Sequence, residues 1–252
     1  MVGKLIKHEL FSTVRVAAIP AAVMIILAVL SRIMLETSNP GLAFMIIMFY
    51  FFFVFATLLI GYFFGIHSFY QSLFTGNGYL TLSLPVSADQ LIWAKLISAI
   101  TVMFASIIVT ILSACIFFIG LPAEVYEEIE EGFIYIGEII SLADIEPLFV
   151  FELILLMIIG VPMSFLVFYA VMCVGQLFTV KNRKGIAIAL YIGLLFAWST
   201  LNQLVFEPIL AKAAEVSIHL SMWLRIVFYA AVTVGSYFIV RYIIRNKVNL
   251  LA

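Results

Sequence analysis

Six apolar stretches, each roughly 20 residues long or more, restrict what this chain can fold into. A helix of that length spans the hydrocarbon layer of a lipid bilayer, whereas a water-soluble core could not bury so much apolar side chain. Composition agrees, because 65% of the 252 residues are hydrophobic and only 11% are charged. The sequence therefore predicts an all-α integral membrane protein with six transmembrane helices, at 16–35, 42–66, 92–119, 148–176, 186–206 and 222–244.

The distribution of charge sets the expected orientation, since cytosolic loops carry an excess of Lys and Arg. The segment 120–147 holds eight of the 14 acidic residues and neither Lys nor Arg, so it is expected outside. We therefore expect a plasma-membrane protein with both termini in the cytosol. Ten of the 13 basic residues fall on the predicted inner side, namely Lys4, Lys7, Arg15, Lys95, Lys181, Arg183, Lys184, Arg241, Arg245 and Lys247.

Several chemistries are not indicated by the sequence. It contains no phosphate-binding G-x-x-x-x-G-K-[ST] loop and no hydrolase or metalloprotease motif. Cys115 and Cys173 lie in apolar stretches without a cluster of metal-binding residues around them. Glu152, the acidic residue nearest to mid-membrane, falls close to the outer end of the fourth stretch, where we expect it to reach water. The chain is thus not expected to be an enzyme, to hold a metal or cofactor, or to supply its own energy.

The first 15 residues predict an amphipathic helix lying in the inner membrane interface. At about 100° per residue, the apolar residues from Val2 to Val14 cover one side, and Lys4 and Lys7 lie on the other. Glu9 projects into the apolar side, where a carboxylate needs a partner. Either flexible lysines or a local shift of the helix accommodate it, or it forms a salt bridge with another subunit or with a cytosolic loop of this chain.

The connection at 67–91, predicted on the inner side, is longer than a link between adjacent helices requires. Gly76-Asn77-Gly78 predicts a turn. Ser87, with Gln90 three residues later, predicts a capping box that starts a helix at Ala88, and Asp89 in its first turn suits the positive helix end. The connection is also nearly uncharged and aromatic, with Phe69, Tyr70, Phe74 and Tyr79.

An exposed aromatic loop before a rigid helix is typical of a docking surface whose movement reaches the membrane. The alternative is a loop that packs beneath its own helix bundle.

Three sequence segments carry a resemblance to a known family: GKLIKHEL at 3–10, FYQSLFTGNGYLTLSLPVSADQLIWAK at 69–95 and RNKVNL at 245–250. The chain resembles the membrane subunits of ABC-2 type ABC transporters, especially those of Gram-positive bacteria. The resemblance implies the six-helix ABC-2 exporter topology, with an elbow helix at 1–15 and a transmembrane domain at 16–252. It also implies a coupling helix within 67–79 and short re-entrant helices at 207–221. The long acidic segment 120–147 departs from many relatives.

The same resemblance implies partners. Two copies of a separate ATP-binding subunit would carry ATP and Mg, and a second membrane subunit would complete a homodimer or heterodimer within membrane lipid. No nucleic acid is expected. The residues expected to face the ATP-binding subunit are Lys4, Lys7, Glu9, Phe69, Tyr70, Phe74, Gly76, Asn77, Gly78, Tyr79, Ser87 and Asp89.

The expected substrate path lies between the two membrane subunits and is lined by Phe49, Phe53, Trp198 and Asn202. Its apolar, aromatic character favours an amphipathic cargo, above all peptides in toxin export, antimicrobial export or immunity. Lipids and drugs remain alternative cargoes. A scaffold or sensor subunit that transports nothing, and an intramembrane enzyme, are alternatives from other classes.

Overall fold

The computed structural model describes residues 2–35, 40–74, 86–119, 146–177 and 183–246, with short pieces between 127 and 135. Within these ranges the chain is helical and contains no β-strand. The elements are α1 (Val2–Leu35), α2 (Pro40–Phe74), α3 (Ala88–Phe118), α4 (Pro147–Gln176), α5 (Arg183–Leu201), a π-helical turn (Asn202–Phe206), α6 (Glu207–Val216) and α7 (Ile218–Asn246). The predicted all-helical fold is confirmed for this part of the chain.

Five helical segments are long and apolar enough to cross a membrane: Phe44–Phe74, Ala88–Phe118, Pro147–Gln176, Ala189–Val216 and Ile218–Asn246. They give the chain the character of a multi-pass membrane protein. The apolar part of α1, Ala18–Met34, is shorter. A sixth span therefore stays a prediction, as does the orientation of the termini.

Helix α1 passes through the predicted boundary between the interfacial helix and the first span without a break. Pro20 lies inside it, where neighbouring groups in a membrane protein can satisfy the carbonyl that a proline leaves unpaired. The predicted acidic segment 120–147 lies almost entirely outside the described residues.

The connection between the second and third spans is shorter than the sequence predicts. His67–Phe74, assigned to that connection, form the last two turns of α2, because this segment contains neither Gly nor Pro and packs the Phe69 ring against Tyr169 of α4. Helix α3 begins at Ala88, as predicted. The tip of the connection, 75–85, lies outside the described residues.

The predicted outer segment 207–221 consists of α6, one extended residue and the first turn of α7. Ser217 has φ −164° and ψ 136° and separates the two helices. Helix α7 therefore starts at Ile218, four residues before the predicted start of the last span.

The described chain divides into two compact units. Unit 1 comprises 1–5, 66–97 and 146–252, and unit 2 comprises 6–65 and 98–145. In unit 1, α4 packs against α5 and α7, and α6 packs against α7.

Unit 2 has a small aromatic core. Tyr50 stacks on Phe117 with ring centroids 5.1 Å apart, and its hydroxyl lies 3.2 Å from the Ser113 hydroxyl. The Arg32 side chain donates a hydrogen bond of 2.7 Å to the carbonyl of Ile119. That bond satisfies one of the carbonyls that the C-terminal end of α3 leaves unpaired.

Gly61 allows α2 and α3 to approach closely within unit 2. A β-carbon at Gly61 would lie 2.5 Å from the Ser106 hydroxyl oxygen and 3.1 Å from its β-carbon. Small residues are favoured where membrane helices meet, because they let backbones come together. Gly61 is therefore a packing requirement of this helix pair.

We expect Gly61→Val to destabilise the chain by roughly 1–3 kcal/mol, the usual cost of overpacking. Gly193→Val is the matched control, since a β-carbon there meets nothing within 4 Å. Thermal unfolding of both variants in detergent checks this expectation. Equal unfolding temperatures for the two variants would show that the α2–α3 contact is not tight.

Candidate functional site

The start of α3 carries the predicted capping box. The Ser87 backbone N–H donates to Gln90 Oε1 at 3.2 Å, and the Gln90 backbone N–H donates to Ser87 Oγ at 3.3 Å. These reciprocal bonds satisfy donors that the first turn of a helix leaves free. The capping box is confirmed, and it fixes where α3 begins.

Asp89, in the first turn of α3, is bound by two side chains of α7; these three residues form the Asp89 cluster. The Tyr237 hydroxyl donates to Asp89 Oδ1 at 2.5 Å, and Arg241 Nε lies 2.9 Å from the same oxygen. Trp93, one turn further along α3, has its ring centroid 6.2 Å from that of Tyr237. Hydrogen bonds to a charged group are stronger than neutral ones. The cluster therefore fastens the start of α3 to the final helix.

Lys95 links α3 to the end of α2. It is almost fully buried, with 3% of its surface exposed, and its ammonium group lies 3.5 Å from the carbonyl oxygen of Ser68. A buried ammonium needs such acceptors, because burial removes it from water. The beginning of α3 is thus tied to α7 on one side and to α2 on another.

Two aromatic residues of the predicted docking surface pack inside unit 1. Phe69 is fully buried and Tyr70 is 8% exposed. The Phe69 ring stacks on Tyr169 of α4, with centroids 3.9 Å apart and an interplanar angle of 9°. Phe74 is half-buried beside Tyr70. Phe69 therefore holds the end of α2 against α4, and Phe69 and Tyr70 are not exposed on the isolated chain.

The other predicted interface residues are distributed as follows. Ser87 is exposed and adjoins the Asp89 cluster. Lys7 is exposed and belongs to unit 2. The side chains of Lys4 and Glu9 lie outside the described part of the chain, as do all of Gly76, Asn77, Gly78 and Tyr79.

Two predicted path residues line cavities in unit 1. Trp198 lines a cavity of about 330 Å³ between α4, α5 and α7, whose walls are apolar apart from Ser236. Asn202 lines a second cavity of about 320 Å³, together with Phe228 and Arg225 of α7. Trp198 and Phe228 stack with centroids 5.4 Å apart. Both cavities have the apolar, aromatic lining that suits a hydrophobic or amphipathic molecule.

The second cavity adjoins the π-helical turn that begins at Asn202. Single π-helical turns within α-helices occur frequently at functional sites. The two remaining path residues, Phe49 and Phe53, belong to unit 2. Phe49 is exposed there, and Phe53 packs against the aromatic core.

The sequence did not reveal a second polar cluster, the His219 cluster, formed by Glu146, Glu152 and His219. Glu152 was expected to reach water, but it is 0% exposed. His219 Nδ1 lies 2.9 Å from Glu152 Oε2, and its Nε2 lies 3.2 Å from Glu146 Oε2. The expectation was wrong because α7 starts early enough to bring His219 against α4. The available signal was the apolar sequence on both sides of Glu152, which indicates a carboxylate that needs a partner.

The described residues contain no group of three or more His, Cys, Asp or Glu side chains arranged to hold a metal ion. Comparisons with family models, with characterised proteins and with solved structures give no match to this chain. The fold and its two polar clusters define a polytopic α-helical membrane protein whose last helix is bound at both ends.

We expect Asp89→Asn and Tyr237→Phe each to destabilise the chain, and the double variant to lose less than the sum of the two. Their shared hydrogen bond is partly exposed, so a coupling energy on the order of 1 kcal/mol is expected. Tyr242→Phe is the control, because Tyr242 lies on the same helix with 60% of its surface exposed. Thermal unfolding in detergent measures all four variants, and strictly additive losses would contradict the contact.

Proposed function

We propose that this chain is the membrane subunit of an ATP-driven ABC exporter of the ABC-2 type. The observation that carries the proposal is the Asp89 cluster, which binds the helix after the 75–85 connection to the last membrane helix. In the proposed arrangement the connection faces the cytosol and contacts a separate ATP-binding subunit. The resemblance of 3–10, 69–95 and 245–250 to ABC-2 membrane subunits supports the same assignment.

Transmission of movement follows from the ties around α3. A force on 75–85 acts on the end of α2 and on the capped start of α3. Lys95 holds α3 to the Ser68 carbonyl of α2, and Asp89 holds it to α7. Within unit 1 a force on this connection therefore acts on α2, α3 and α7 together. The stacked rings of Phe69 and Tyr169 extend the same connection to α4.

The complex we propose has two membrane subunits, identical or different, and two ATP-binding subunits that carry ATP and Mg. This chain contributes six spans in the plasma membrane with both termini in the cytosol, an elbow helix at 1–15 and an acidic outer segment at 120–147. It holds no cofactor and is not itself an enzyme. In this proposal Lys4, Lys7 and Glu9 lie beside the ATP-binding subunit.

The proposed cargo is an amphipathic molecule, most specifically a peptide exported as a toxin, as an antimicrobial or for immunity. The support is the lining of the two cavities, which is apolar and aromatic with few polar groups. Lipids or drugs have related chemistry and are the alternative cargoes.

A scaffold or sensor subunit that transports nothing is the alternative function. Polar contacts between buried helices would stabilise a scaffold or sensor equally well. The presence or absence of an ATP-binding partner therefore distinguishes it from an exporter subunit. Purification together with the proteins encoded beside it tests this directly. A stoichiometric ATPase supports the exporter, and its absence contradicts it.

We expect Asp89→Asn to keep the ATPase bound but to lower cargo-stimulated ATP hydrolysis in lipid vesicles. A reduction of about fivefold corresponds to the loss of about 1 kcal/mol of coupling. Glu9→Ala should also uncouple hydrolysis from transport without preventing membrane insertion. Tyr242→Phe serves as the control, and unchanged stimulation in Asp89→Asn would exclude the cluster from transmission.

A further inference from the structure

The His219 cluster places a buried carboxylate in a position that requires compensation. Glu152 is fully buried on α4, and its Oε1 atom has no hydrogen-bond partner in the described part of the chain. Its other oxygen contacts His219 at 2.9 Å. An uncompensated buried charge is costly. The protonation state of this cluster therefore determines how strongly it joins α4 to α7.

The two contacts of the imidazole ring cannot both be hydrogen bonds if the ring is neutral and both carboxyl groups are ionised. A neutral imidazole has one N–H donor and one lone pair. Nδ1 faces Glu152 Oε2 and Nε2 faces Glu146 Oε2. With two ionised carboxylates, one contact would therefore set a ring lone pair against a carboxylate oxygen. One additional proton, on the ring or on a carboxyl group, makes both contacts favourable.

We infer that Glu146, Glu152 and His219 form a proton-binding site that fastens the start of α4 to the start of α7. With the proton bound, an imidazolium donates to both carboxylates, or a protonated carboxyl group donates to the neutral ring. Without it, one of the two contacts turns repulsive and the α4–α7 tie weakens. This inference goes beyond the proposed transport function and does not depend on it.

A proton fits this site better than a metal ion does. The two carboxylates contact opposite nitrogens of one ring, so they lie on different sides of it and cannot converge with the ring on a single ion. Glu146 is 67% exposed on its side chain, which gives the ring access to solvent protons. Glu152, in contrast, is closed off from solvent within unit 1.

The charged groups that contact the ring are Glu146, the residue immediately before α4, and Glu152 of α4. Helix α6 also packs against α7, and it carries Glu207, Lys212 and Glu215. None of these three forms an ion pair with His219 among the described residues, and neither does Arg225 of α7. The charged residues of α5, Arg183 and Lys184, occupy its first two positions. Glu146 and Glu152 are therefore the charged residues that contact the ring in the described part of the chain.

The direction of the pH effect follows from the bound state. The tie is complete at a pH low enough for the cluster to keep its proton, and it is lost as the pH rises and the proton dissociates. Histidine titrates in the physiological range. The chain should thus be more stable in mildly acidic solution than in mildly alkaline solution.

Thermal unfolding of the purified chain in lipid nanodiscs, without any partner protein, tests the inference. Between about pH 5.5 and about pH 8.5 the wild-type unfolding temperature should fall by roughly 2–4 °C. His219→Gln should remove most of this fall. The control His67→Gln changes an exposed histidine of α2 and should retain it.

Glu152→Gln separates proton binding from a merely structural role. An amide at this position can donate to Nδ1 while Nε2–H donates to Glu146, so both contacts form without an additional proton. We expect this variant to keep its α4–α7 tie at alkaline pH and to show a flat pH profile. A wild-type profile in Glu152→Gln would overturn the inference.

Nitrogen-15 NMR of histidine-labelled chain gives a readout that does not depend on unfolding. The ring-nitrogen signals of His219 should shift with pH in wild-type protein, because the bound proton lies on the ring or on a carboxyl group that donates to it. They should shift less in Glu152→Gln, where both contacts form without that proton. If the His219 signals are the same in both proteins at every pH, no shared proton exists. This comparison decides the question even if His219→Gln fails to fold.

Discussion

The attachment of α7 at both of its ends is the interaction on which the rest of unit 1 depends. In apolar helices the few polar side chains need partners, because the surroundings offer none. His219 at one end contacts Glu152 of α4 and Glu146 immediately before α4. Arg241 and Tyr237 near the other end contact Asp89 of α3. His219 and Arg241 are 22 positions apart, which corresponds to about 33 Å of helix, close to the thickness of a bilayer's hydrocarbon layer.

This arrangement gives the two polar clusters different consequences. The Asp89 cluster joins α7 to the start of α3, which directly follows the 75–85 connection. In the proposed exporter, this cluster therefore transmits force from the ATP-binding subunit to α7. The His219 cluster joins α7 to the start of α4 and senses protons. Between them α7 lines both apolar cavities. A change at either end therefore reaches the helix that forms the cavity walls.

The features that could be predicted from the sequence are local ones. Helix existence follows from long apolar stretches, and the start of α3 follows from Ser87 and Gln90, which bond within one turn. Trp198 and Asn202 line cavities of unit 1, but their place in a substrate path between two membrane subunits stays a prediction. The packing of the end of α2 could not be predicted, because the stacking of Phe69 on Tyr169 joins residues that lie far apart in the sequence.

The pairings that tie helices together were beyond sequence reasoning. Glu152 and His219 are 67 residues apart, and Asp89 and Tyr237 are 148 residues apart. A single sequence gives each residue's polarity but not which distant residue meets it. The π-helical turn at Asn202 was also not predicted, since nothing in NQLVF distinguishes it from ordinary helix.

In the proposed exporter, the 75–85 connection and the α6–α7 junction lie on opposite sides of the membrane, with the connection on the cytosolic side. Single cysteines at Gln71 and Val216, both exposed, test this most directly in a background without Cys115 and Cys173. A membrane-impermeant maleimide applied to intact cells should label Val216→Cys at once and Gln71→Cys only after permeabilisation. Labelling of Gln71→Cys in intact cells would contradict the account, because a connection outside the cell cannot meet a cytosolic ATPase.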